Sequence, residues 1–168
     1  KELKKFGFKV SHLKQKAFDI NQGFFKRINS NRPYIRAKIA MSKDGKTSFK
    51  NKRNKWITST ASRNDAQHYR AISDLIITGS GTLMHDNPSL NVRNNKIIKT
   101  KGFNQPHKAV LINSSNDLTG MKFFQDKTKK IIFTTQGKKF DGLKKMSNTE
   151  ICFLKGKGSK VDLKDLTS

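Results

Sequence analysis

The sequence predicts an α/β fold, and two observations carry that prediction. Between residues 34 and 82 the patterns alternate in the order strand, helix, strand and glycine turn. Three more strand-length apolar runs follow, separated by loops rich in Gly, Ser and Asn.

The elements follow in chain order. Residues 1–31 are basic with scattered aromatics (Phe6, Phe8, Phe18, Phe24, Phe25), and Leu13 to Ile28 has helical apolar spacing. Asn29, Ser30 and Asn31 before Pro33 mark a boundary. From Tyr34 to Met41 the residues alternate, with Ile35, Ala37, Ile39 and Met41 on one face and Arg36 and Lys38 on the other, which reads as a strand ended by an Asp44-Gly45 turn. After a polar loop to Lys55, Thr58-Ser59-Thr60 offers caps for a helix over Ala61 to Ile72. Leu75 to Thr78 reads as a buried strand that meets Gly79-Ser80-Gly81-Thr82 directly. Asn91 to His107 is a long polar loop without periodicity, an insertion or a flap. Strands are expected at Ala109–Ile112, Lys130–Thr135 and Thr149–Leu154, and Val161 to Leu166 reads as the opening of a helix. Lys1 in first place, no Met before Met41, and a helix that stops at Ser168 together read as a processed, engineered or fragmentary chain whose sheet is cut short.

At 168 residues, one domain able to bury a core is expected. The formal charge of +24 raises a nucleic-acid or anionic-membrane partner first. Only seven of the 36 basic residues are Arg, however, and the lysines run along the whole chain, as a lysine-rich compositional bias would place them. Such a field also attracts phosphorylated ligands. Cys152 is the only cysteine, so an intrachain disulfide and a thiolate zinc cage are excluded. No apolar run approaches the roughly 20 residues that span a bilayer, and the first 20 residues lack a signal-peptide core. The expectation is a cytoplasmic protein with neither a membrane nor a nucleic-acid partner.

Several residues could carry chemistry. Gly79-Ser80-Gly81-Thr82 stands where a strand ends, a place where backbone N–H groups receive phosphate. The six-residue dinucleotide fingerprint is absent, because Met84 stands three beyond Gly81, so a structural turn is the competing reading. Asp44 could accept hydrogen bonds from sugar hydroxyls or serve only its turn. Trp56, the single Trp, is a core residue or a stacking wall for a flat ring. Arg70 and Arg93 could clamp a phosphate or belong to a solvated face, and Asp86 could bind a ribose hydroxyl or hold a loop. His12, His68, His85 and His107 have no metal-ligand spacing, and no Gly-x-Ser-x-Gly elbow is present.

These features occur in one order: Arg32-Pro33-Tyr34-Ile35-Arg36-Ala37-Lys38, Ser42-Lys43-Asp44-Gly45-Lys46-Thr47, Lys55-Trp56-Ile57-Thr58, Ser73 through Thr82, and Asp86-Asn87-Pro88-Ser89-Leu90-Asn91-Val92-Arg93. That series resembles the reductase domain of RibD, the bifunctional deaminase/reductase of riboflavin synthesis. The resemblance implies a dihydrofolate-reductase-like α/β fold, a three-layer sheet with flanking helices, here C-terminally incomplete. It further implies NADPH-dependent reduction of the ribosyl group of 5-amino-6-(5-phosphoribosylamino)uracil to its ribityl form, a phosphorylated pyrimidine-ribose substrate, and a homo-oligomeric full-length enzyme.

Carried over by motif, Ala40, Trp56, Gly79, Gly81, Thr82 and Asp86 would line the NADPH site, extended by Ser114. Asn54, Arg70, Leu90 and Arg93 would face the substrate, and Lys38 and Asp44 are the candidates for ordering the sugar in catalysis. Asp19 to Phe25 resembles the junction that follows the deaminase domain, so 1–31 reads as the tail of that domain and its linker, and 32–168 as a truncated reductase domain. The deaminase's zinc signature is absent, so zinc would belong only to a domain outside this chain. Three departures stand against the family pattern: Asn54 where Ser is common, Lys43 where an apolar residue is usual, and no Glu-Gly-Gly segment before Ser168. A basic nucleic-acid-binding module and another dihydrofolate-reductase-like NADPH reductase are the alternatives.

Overall fold

The computed structural model describes residues 2–11, 20–48, 56–113, 118, 120–135, 140, 143, 146, 148–157 and 160–167. They form two units, Lys1–Ala37 with Thr167, and Lys38–Leu166 with Ser168.

The first unit holds helices α1 (Glu2–Lys5) and α2 (Gln22–Ser30). Helix α2 ends on Asn31, whose left-handed backbone (φ 50°) turns its N–H back to the Arg27 carbonyl at 2.8 Å, a role Asn takes more readily than most residues. It realises the C-terminal part of the helix expected over Leu13 to Ile28; residues 13–19 of that expectation lie outside the described residues.

The strand expected from Tyr34 to Met41 is not formed. Ile35, Ile39 and Met41 are all exposed, although they share the apolar side of the alternating pattern. Period-two patterning specifies which face a strand would bury, but a strand also needs a neighbour for its N–H and C=O groups. Neither sheet among the described residues supplies that neighbour.

In the second unit, Ser59 stands extended and its hydroxyl accepts the Ser62 N–H at 3.2 Å, capping α3 (Thr60–Ala71). The strands β1 (Leu75–Gly79), β2 (His107–Leu111), β3 (Lys130–Thr134) and β4 (Thr149–Phe153) build one parallel sheet in the order β1-β2-β3-β4. Helix α4 (Ser80–Asp86) starts directly after β1, and α5 (Asn95–Ile98) interrupts the segment expected to be wholly loop. After β4 come a small antiparallel pair, β5 (Gly156–Lys157) and β6 (Lys160–Val161), and α6 (Leu163–Leu166). A side chain at Gly156 would collide with the Lys160 carbonyl, so the tight pairing of β5 and β6 requires glycine there.

Register places Val110, Ile132 and Ile151 side by side on one face of the sheet. With Leu83, Leu90, Ile112, Leu118, Phe123, Phe124, Phe140 and Leu143, the first two build the core, and Ile151 packs against it. Two lysines share that face at one end: Lys108 and Lys130 are register partners, and both side chains are buried. Lys108 pairs with Asp126 at 2.7 Å, and Lys130 approaches the same carboxylate at 3.4 Å. One carboxylate between two ammonium groups lowers the cost of burying them.

Among the described residues, no helix is long and apolar enough to cross a membrane.

Candidate active site

Helix α3 carries Arg70 in its last turn, and the loop after α4 carries Arg93. Arg70 is half-buried and its Nη1 donates to the Asn91 carbonyl at 3.1 Å. Burial, and then the like charge of Arg93, pulls its pKa below the ordinary arginine value, although an Arg at neutral pH keeps its proton. Two guanidinium groups held within electrostatic reach repel unless an anion sits between them. Among the described residues neither has a carboxylate partner, and the Arg93 guanidinium makes no hydrogen bond. An anion is the ligand this arrangement fits.

The loop between them is braced by side chains. Gln67 Oε1 accepts the Arg93 N–H at 2.7 Å, while Gln105 accepts the Val92 N–H at 2.8 Å and donates to the Val92 carbonyl at 2.9 Å. Leu90 is buried and holds a left-handed backbone (φ 53°), an unusual state for a branched residue. The structure therefore brings Arg70, Leu90 and Arg93 into one loop-and-helix assembly.

The second group lies at the carboxyl ends of the strands, where open parallel sheets offer their ligand crevice. Gly79 caps α4, with Gly81 and Thr82 in its first turn, so the glycine segment is the start of a helix rather than a free-standing turn. Space is open above both Gly79 and Gly81. A cleft of about 310 Å³ opens beside them, lined by Ser80, Leu111, Ile112, Asn113, Lys160, Val161 and Leu163. Asp86 ends α4 and is exposed, and the adjacent Asn87 supplies the left-handed cap (φ 42°).

Trp56 is 59% exposed, which removes the core reading left open by the sequence. The Arg63 guanidinium stands over its ring. Asp44 sits in its turn with Gly45 at φ 78°. The Lys46 ammonium at 2.6 Å, and then the Ser42 hydroxyl at 2.5 Å, hold the Asp44 carboxyl below the ordinary carboxylate value. Lys38 is exposed and makes neither a hydrogen bond nor an ion pair with Asp44, so the two are not joined; Ala40 is half-buried. Asn54 and Ser114 lie outside the described residues. Among the described residues no group of three or more His, Cys, Asp or Glu side chains could hold a metal ion.

The family model for the RibD C-terminal domain matches residues 33–168. The chain belongs to that family. Among curated relatives, the riboflavin biosynthesis protein RibD of Buchnera aphidicola (subsp. Baizongia pistaciae) is 42% identical over 129 residues, 71% of this chain and 35% of that protein. RibD of Escherichia coli is 41% identical over 93 residues, 54% of this chain and 25% of that one. The solved structure of Acinetobacter baumannii RibD (form 1) superposes with a TM-score of 0.70 at 31% identity, covering 83% of this chain and 38% of that one. The chain thus spans about a third or less of the curated RibD proteins it matches. A Thermotoga maritima deaminase/5-amino-6-(5-phosphoribosylamino)uracil reductase, at 20% identity and a TM-score of 0.60, shares the fold. The dihydrofolate-reductase-like α/β class expected from the sequence is therefore borne out, with a parallel four-stranded sheet flanked by helices.

Within this RibD-type domain, sequence patterns missed five residues that the structure sets at the site. Arg63 backs Trp56, Gln67 and Gln105 brace the loop at 92–93, and Asn113 and Lys160 line the cleft. Of these, only Gln67 carried a readable signal: it lies three residues before Arg70 on α3, where side chains share a face.

Proposed function

We propose that this domain catalyses the NADPH-dependent reduction of the ribosyl group of 5-amino-6-(5-phosphoribosylamino)uracil to the ribityl form, a step of riboflavin synthesis. The observation that carries the reading is a half-buried Arg70 that feels the charge of Arg93, with no carboxylate partner for either among the described residues, in a chain of the RibD C-terminal domain family. A phosphorylated sugar matches that charge, and an Arg fork binds phosphate in two places at once.

The residues present fit a dinucleotide. Trp56 offers an exposed aromatic face, Gly79 and Gly81 leave open space at the end of β1, and the adjoining cleft has polar lining from Ser80, Asn113 and Lys160. Ala40, Trp56, Gly79, Gly81, Thr82, Asp86 and Ser114 would hold NADPH. When bound, NADPH supplies the hydride that reduces the sugar carbon.

The chain's own contribution is orientation and charge. Arg70 and Arg93 neutralise the substrate phosphate, the main chain at Leu90 faces the substrate while its buried side chain anchors the loop, and Asn54 hydrogen-bonds the substrate. Lys46 and Ser42 fix the Asp44 carboxylate as an acceptor for sugar hydroxyls, and the Lys38 ammonium is a donor for the same sugar. Cys152, a free thiol, suits a reducing cytoplasm as the site of this reaction.

The deciding measurement is NADPH oxidation by the full-length protein with and without the phosphorylated substrate. Substrate-dependent oxidation supports the reading. A folded protein with no such oxidation, but with steeply salt-dependent affinity for RNA, would sink it in favour of a basic nucleic-acid-binding module.

A further inference from the structure

Lys108 is fully buried in the inner strand β2, and an ammonium taken out of water needs acceptors for its three hydrogens. It donates to the Ser89 carbonyl at 3.0 Å, the Phe123 carbonyl at 2.9 Å and Asp126 Oδ2 at 2.7 Å. Only the last is an ion pair; the other two tie the sheet to main chain far away in sequence. Ser89 immediately precedes Leu90 and its left-handed backbone, and Arg93 follows four residues later.

Lys130 is an internal control. It is also buried and shares the Asp126 carboxylate, and its second partner is the Asp126 carbonyl. Neither contact reaches the loop at 89–93. The two lysines thus carry the same charge in the same cluster, but only Lys108 holds the loop.

We propose that Lys108 is a positioning residue for the anion-binding loop, setting, through the Ser89 carbonyl, the place of Arg93 and of the Asn91 carbonyl that Arg70 holds. The positioning stands on geometry alone; the consequence for a phosphorylated substrate rests on the function proposed above. Without the ammonium, the Ser89 and Phe123 carbonyls lose their shared donor and the loop loses its tie to the sheet. Phosphate binding weakens, while the reacting sugar carbon is untouched.

The test compares Lys108→Met, Lys108→Arg and Lys130→Met in the full-length protein by amide hydrogen exchange and by steady-state kinetics. In Lys108→Met, exchange at the Val92 and Arg93 amides, which are bonded to Gln105 and Gln67, should quicken about tenfold or more, with β1 amides unchanged. KM for the phosphorylated substrate should rise about tenfold with kcat within about threefold. Lys130→Met should leave both readouts near wild type, and Lys108→Arg should restore most of the loss. Equal effects of Lys108→Met and Lys130→Met would overturn the proposal, as would unchanged exchange in a folded Lys108→Met. Should the methionine variant not fold, Lys108→Gln takes its place; failure of both to fold makes the role purely structural and also overturns it. A wild-type protein without reductase activity would count against the function alone, and the exchange arm would still decide the positioning.

Discussion

The Arg63 guanidinium carbon lies 4.7 Å from the centre of the Trp56 ring. Arg63 does not reach this place freely: its Nη1 donates to the Thr58 carbonyl at 2.6 Å and its Nη2 to the Thr60 hydroxyl at 2.8 Å. These bonds anchor the cation to the start of α3, so the stack holds an otherwise exposed indole at a fixed angle. Such a cation–π contact at an exposed site is worth about 0.5–1 kcal/mol, too little to explain a Trp there by stability alone. A ring held still and left open is better suited to receiving another flat ring.

Trp56→Ala should therefore cost less than about 1 kcal/mol of stability while weakening NADPH binding about tenfold. Urea unfolding and isothermal titration with NADPH separate the two quantities. Arg63→Met should lower NADPH affinity by less, about threefold, because the ring remains and only its restraint is lost. Equal losses in stability and affinity would return Trp56 to a structural role.

Arg70 and Lys are not interchangeable in the same way. Arg70→Lys keeps the charge but loses the planar fork, one arm of which is committed to the Asn91 carbonyl. The expected outcome is a KM for the phosphorylated substrate raised about tenfold in Arg70→Lys and about a hundredfold in Arg70→Met, with kcat little changed in the first. Steady-state kinetics over substrate concentration gives both numbers.

What the sequence could and could not display follows from the range of each interaction. The Ser59 cap of α3 rests on a neighbour within one turn, and the four parallel strands, though their ladder partners lie far along the chain, fall within about two residues of the apolar runs that mark them. The stretch 34–41 has equally good alternation and no ladder, because pairing depends on another segment. By residue type Lys108 and Lys130 would be expected at the surface, yet both are buried; their partners Asp126, Ser89 and Phe123 are joined to them only by the fold. The same holds at the site. Arg70 and Arg93 were readable as phosphate ligands by type, whereas the only local signal of Gln67 is the helix face it shares with Arg70, and Gln105, 13 residues from the backbone it holds, leaves none.

Asp126 gives the lysine cluster a pH dependence. Burial pushes its carboxyl up, but hydrogen bonds from Lys108 and Thr128 and the Lys108 charge outweigh that and leave its pKa below the ordinary 3.8. A carboxyl depressed in the folded state is deprotonated more easily there than in the unfolded chain. Its stabilisation is thus complete above the unfolded value and disappears as pH falls from there through the folded value. Urea midpoints measured from neutral pH down to about pH 2 should fall more steeply at the acid end in wild type than in Asp126→Asn. The variant itself should be weaker by about 2 kcal/mol at neutral pH, because two buried ammonium groups then face an uncharged amide.

Leu90 combines two opposing contributions that a pair of substitutions can separate. Its side chain is 8% exposed and belongs to the core, so removing it costs burial; its backbone stands at φ 53°, where a Cβ crowds the following carbonyl. Leu90→Ala loses the packing and keeps the crowding, for an expected cost of about 3 kcal/mol. Leu90→Gly loses the same packing but relieves the crowding by about 1 kcal/mol, so it should be the milder change, at about 2 kcal/mol. At an ordinary helical or strand position the order would be reversed, since glycine loses more backbone freedom on folding than alanine. Equilibrium unfolding of the two variants decides it. A glycine variant less stable than the alanine one would mean that Leu90 carries no backbone strain and holds the anion-binding loop by burial alone.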